Sequence, residues 1–143
     1  MNAVTWLLTL VGCAPAVEGP TAPLSPPDAV AALVSHEVTR CQDVGPRLGV
    51  DLKPTARGWR GATPSQTLRV RRAGDWCTVD AGIQATCVPL NAFLDRGLPL
   101  VWRPQPHLAE NRDLYGFSDE DQGVSLIVDR RSTCVESWDW SDW

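Results

Sequence analysis

The chain has 143 residues, five cysteines and a formal net charge of −4, with 13 Lys and Arg set against 17 Asp and Glu. That acidic balance argues against wholesale nucleic-acid binding, so no nucleic-acid partner is expected. The length suits one domain with a real core, and no stretch is apolar enough to span a bilayer, which takes about 20 residues. No long internal repeat shows in the sequence.

Residues 3–11 are apolar apart from Thr5 and Thr9, and they run into Leu10-Val11-Gly12-Cys13. A stretch of that length suits the hydrophobic region of a signal peptide. The ending resembles the lipobox of bacterial lipoprotein precursors. The basic start usual in that family is missing, since residues 1–12 hold no Lys or Arg. The resemblance implies that residues 1–12 are a signal peptide cut before Cys13. It also implies that the Cys13 thiol carries a diacylglycerol, so that the membrane is a partner through the lipid. Ala14, where an inner-membrane lipoprotein often has Asp, implies the outer membrane of a bacterial envelope. Residues 13–27 include Pro15, Pro20, Pro23, Pro26 and Pro27 and read as an extended tether. Residues 28–143 then form a single domain.

Ser25-Pro26-Pro27-Asp28 reads as a helix start, with Ser25 as N-cap. Val30, Val34, Val38 and Cys41 follow on one helical face, leaving His36 and Arg40 on the wet side. Residues 45–66 read mostly as loop. Thr67–Arg72 alternates as a strand, with Leu68 and Val70 inward. Trp76–Asp80 and Ile83–Val88 read as a hairpin across Asp80-Ala81-Gly82. Pro89–Arg96 reads as a short helix, Leu98–Trp102 as an edge strand and His107–Tyr115 as a further helix. Val124–Val128 and Ser132–Trp138 form a last hairpin around Arg130-Arg131. The sum is an α+β fold: an N-terminal helix packed on an antiparallel sheet of four to six strands.

Setting Cys13 aside leaves Cys41, Cys77, Cys87 and Cys134, an even set suited to an oxidising compartment. Register and facing favour Cys77–Cys87 across the hairpin and Cys41–Cys134 from helix to last strand. The spacings lack the close pairs of a structural zinc site, so no metal is expected. Asp119-Glu120-Asp121-Gln122-Gly123 with Ser125 faintly resembles a calcium loop but lacks its distal glutamate, and it reads as a solvated acidic turn.

The chain has two histidines, His36 and His107, and neither sits in a recognisable nucleophile motif. No catalytic residue, enzyme activity or cofactor is expected. Two features stand out as candidate binding elements. Arg57, Arg60, Arg69 and Arg71 lie in a stretch with no acid between Asp51 and Asp75, suited to phosphates of lipid headgroups or lipopolysaccharide, or to an acidic partner. The bland reading of that stretch is cross-strand pairing with the acid-rich C-terminal third. Trp138 and Trp140 share one face of the last strand. They serve either as a platform for a sugar ring or a protein interface, or as core. Trp143 reads as a fraying end. The expected function is a lipid-anchored, non-catalytic binding or structural protein whose partner is a protein or a glycan. The alternative is a small anchored inhibitor or immunity-type protein acting on an envelope hydrolase.

Overall fold

Along Gln66–Ala73 and Gln122–Asp129 buried and solvated side chains alternate, as strands with one covered face require. The computed structural model describes residues 22–84 and 86–143. The expected signal peptide, Cys13 and the expected tether through residue 21 lie outside the described residues. Eight antiparallel strands form one open sheet: β1 (Lys53–Thr55), β2 (Gly58–Ala62), β3 (Gln66–Ala73), β4 (Trp76–Ile83), β5 (Val101–Arg103), β6 (Arg112–Ser118), β7 (Gln122–Asp129) and β8 (Val135–Asp142). Their order across the sheet is β1-β2-β3-β4-β8-β7-β6-β5. Three short helices, α1 (Pro26–Val34), α2 (Val44–Leu48) and α3 (Leu90–Leu94), join a 3-10 turn at Cys41–Asp43. Leu33, Val44, Leu48 and Phe93 from the helices share one buried cluster with Leu68, Val70, Leu126, Trp138 and Trp140 from the strands.

The α+β expectation is therefore corrected. The sheet has eight strands rather than four to six, and the helices are small pieces that cap its covered face. The N-terminal helix starts as read: Ser25 Oγ accepts the Asp28 N–H, and Pro26 and Pro27 open α1. It stops early. His36 adopts φ 57°, its N–H donates to Leu33 O, and the Glu37 N–H reaches back to Ala32 O. That is a Schellman ending built on histidine instead of glycine. Cys41 consequently leaves the helix. The segment 45–66, read as loop, supplies α2, β1 and β2, whereas His107–Tyr115 gives way to the start of β6.

The expected hairpin at Asp80-Ala81-Gly82 does not form; β4 runs straight through it. The turn instead lies at Gly74-Asp75, with Ala73 opposite Trp76 and Gly74 at φ 62°. This corrects the disulfides too. Cys77 stands at the head of β4 and Cys87 lies beyond its far end, so the straight strand between Cys77 and Ile83 alone holds them roughly 20 Å apart. Cys77 bonds Cys41, with Cα atoms 5.4 Å apart, and Cys87 bonds Cys134, with Cα atoms 5.1 Å apart.

The topology contains a repeat that the sequence hides. A cysteine, a five-residue helix and a four-stranded meander occur twice: Cys41, α2 and β1–β4, then Cys87, α3 and β5–β8. In each half the disulfide returns to the head of the fourth strand. Every pair between β2 and β3 has its counterpart between β6 and β7, so that Trp59↔Val70 matches Tyr115↔Leu126 and Arg60↔Arg69 matches Gly116↔Ser125. The β2–β3 and β6–β7 turns share their chemistry as well. Thr63 Oγ1 accepts the N–H groups of Ser65 and Gln66 (both 3.2 Å), and Asp119 Oδ1 accepts those of Asp121 and Gln122 (2.8 and 3.0 Å). The halves meet where β4 pairs with β8, about a quasi-two-fold axis through Asp80↔Asp139.

The sheet edges are blunted. Pro54 lies in β1 and Pro104 directly follows β5, and both edge strands are three residues long.

Candidate functional site: the open face of the first meander

Residues that pair across strands share a face, so the register draws the uncovered side of the sheet row by row. One row crosses all eight strands as Lys53, Arg60, Arg69, Asp80, Asp139, Ser125, Gly116 and Val101. Three cations thus stand side by side at one end and two carboxylates lie at the centre. Arg71 occupies the next row, opposite Gly58 and Thr78. Gly58 brings the β1–β2 turn down onto β3, since a Cβ there would lie 2.0 Å from the Val70 carbonyl oxygen. That close approach carries Arg57 to the same corner.

The sequence-predicted arginines therefore converge. Arg57, Arg60, Arg69 and Arg71, with Thr55 and Ala56, line a hollow of about 290 Å³. Arg60 and Arg69 also border a wider, shallower hollow of about 720 Å³ that runs toward Lys53, Asp80 and Gly82. Arg71 Nη2 donates to Asp80 Oδ2 at 2.7 Å. Among the described residues Arg57, Arg60 and Arg69 make no salt bridge, although eight such bridges form, one of them at neighbouring Arg71. Cross-strand pairing with the acidic third accounts for other arginines: Arg112 meets Glu136 at 2.6 Å and Arg130 meets Asp113 at 3.0 Å. At the centre, burial of the carboxyl, with Asp80 facing it, raises Asp139 to about 6.

The aromatic candidates lie elsewhere. Trp138 and Trp140 are 2% and 1% exposed, so neither is a binding platform. Their indole N–H groups donate to two buried glutamines, Trp138 to Gln66 Oε1 and Trp140 to Gln122 Oε1, both at 2.9 Å. Small cross-strand neighbours, Ala81 opposite Trp138 and Val79 opposite Trp140, make room for the rings. A register shift leaves Glu136 unpaired, which lets Val135 and Trp138 face the same core although they stand three residues apart. Trp143 does not simply fray: its N–H donates to Asp121 O, and its ring lies over Gly123.

Sequence reasoning does not single out Trp102 on edge strand β5. Its ring is exposed and its Nε1–H donates to Asp113 Oδ1 at 3.3 Å. The Arg130 guanidinium, and then this indole, hold the Asp113 carboxyl below the usual carboxylate range. The neighbouring Arg103-Pro104 was the available signal, because a tryptophan beside a proline at a sheet edge cannot be deep in a ladder. His36 ends α1 with Nε2 3.4 Å from Gln122 Nε2, and His107 is exposed in the β5–β6 loop. Asp119 of the acidic turn directs its Oδ1 to backbone N–H groups.

No family model, curated protein or solved structure matches the chain. The second half of the molecule offers an internal comparison for the site. Ser125 and Ile127 take the places that Arg69 and Arg71 have in the first half, and Gly116 takes that of Arg60. The same strand pairing forms with no cation at these positions.

Proposed function

We propose that the protein is a lipid-anchored, non-catalytic binding protein of the bacterial envelope. Cys13 tethers it, at the outer membrane, and the open face of β1–β4 meets an acidic protein or glycan. One observation carries the binding surface: Arg57, Arg60 and Arg69 stand exposed, and without salt bridges among the described residues, on a face whose counterpart in the second half is uncharged at the two matching strand positions, Gly116 and Ser125. Like charges directly opposite, as at Arg60↔Arg69, destabilise a sheet. A fold that keeps them without structural need is consistent with an anion as their partner. The anchor is supported by the lipobox, by the proline-rich tether and by the cysteine arithmetic. Two disulfides take up four of the five cysteines, leaving Cys13 over.

Crosslinked pull-down from the native envelope, with mass spectrometry of the mature amino terminus, tests both parts. The expected result is an acylated Cys13 and an acidic partner that is lost with Arg60→Ala/Arg69→Ala. An unlipidated, uncleaved start overturns the anchor. A partner retained undiminished by the double variant overturns the surface.

A further inference from the structure

We infer that the arginine-lined hollow at the β1–β2 turn is a binding site for a phosphomonoester group. This deepens the reading of the open face as a binding surface and rests on it. Four arginines border about 290 Å³ there, and the guanidinium of one of them, Arg71, is already held by Asp80. Arg57, Arg60 and Arg69 remain to meet a ligand. A carboxylate has two acceptor oxygens and one charge, which a single guanidinium satisfies bidentately. Three arginines without an acidic partner around one hollow call for a denser anion. A terminal phosphate has three oxygens and close to two charges near neutrality, and arginine's planar fork matches it. Thr55 adds a hydroxyl to the rim.

The central carboxylates set the direction of approach. Asp80 and Asp139 lie on the same row as Arg60 and Arg69, inward of them. They repel an anion from the middle of the sheet and confine it to the β1–β3 corner. The wider hollow past Lys53 is open to whatever the phosphate is attached to.

Two sources share this chemistry: a phosphate in solution and a phosphorylated lipid headgroup. The test is calorimetric titration of the detergent-solubilised full chain with inorganic phosphate and with dihexanoyl phosphatidic acid. Dihexanoyl phosphatidylcholine serves as the diester control. The expected result is binding of at least one of the two probes, weakened about a hundredfold or more in Arg60→Ala/Arg69→Ala, because each lost charge-assisted contact is worth about tenfold or more. Arg60→Lys/Arg69→Lys keeps the charge but not the fork and falls between. Arg103→Ala, on the other half, leaves binding unchanged. The tighter probe names the source. The alanine variant keeps its melting temperature or gains, since a cross-strand repulsion is removed. Failure of both probes to bind, or binding that the alanine variant keeps, overturns the phosphate site. An acidic partner that the same variant loses in the pull-down, with neither phosphate probe bound, overturns the phosphate assignment and leaves the binding surface standing.

Discussion

Gln66 and Gln122 are the polar residues on which the core depends. Each accepts a hydrogen bond from one buried tryptophan, and Gln122 Nε2 also donates to Val34 O, the last carbonyl of α1. Gln66 Nε2 has no partner among the described residues. The Gln66–Trp138 bond can be isolated by a double-mutant cycle. Gln66→Leu orphans the Trp138 N–H and is expected to cost about 1–3 kcal/mol in urea unfolding. The same change in a Trp138→Phe background is expected to cost about 1–2 kcal/mol less, because no indole donor remains to be stranded. Equal costs in both backgrounds would show that the bond contributes nothing.

At the level of elements, the β4–β8 seam joins the two meanders and places two like charges opposite each other. Thr78 and Ser141 bond across it at 3.1 Å, two register pairs from Asp80↔Asp139. Asp139 titrates near 6 in the folded chain, and its ordinary value is 3.8. The folded state therefore holds a proton that the unfolded chain has released, and between about pH 4 and 6 stability falls as pH rises. Above 6 the penalty is complete. For this half-buried group, solvent screening leaves about 1–2 kcal/mol of it. Asp139→Asn is expected to stabilise the protein by that amount at pH 7.5 and by little at pH 4. Chemical denaturation at the two pH values checks this, and a constant offset would refute the assignment.

For the molecule as a whole, each disulfide staples one half and none crosses between them. They close sequence separations of 36 and 47 residues, so each is expected to contribute about 4 kcal/mol by restricting the unfolded chain. Non-reducing peptide mapping should recover Cys41 with Cys77 and Cys87 with Cys134. Removing both cysteines of one pair should lower stability by a similar amount whichever pair is chosen, and the two losses should add. A Cys77–Cys87 peptide would refute the two-half architecture.

The sequence by itself determined whatever is encoded locally. Period-two burial in β3 and β7, the Ser25 cap, a short helix within Pro89–Arg96 and the evenness of the domain cysteines are set by neighbours a few residues apart. It also determined that the arginine stretch is dense enough to be a candidate site. Tertiary structure alone decided which cysteines meet, because that depended on β4 continuing straight past Gly82 rather than turning there. It decided that Trp138 and Trp140 lie in the core, since an alternating strand shows which residues share a face but not which face is covered. The repeat of the halves emerged only in three dimensions, because pairing register preserves backbone geometry while the side chains differ, as with Arg69 and Ser125. That same comparison showed that the fold does not require the arginines of the first half.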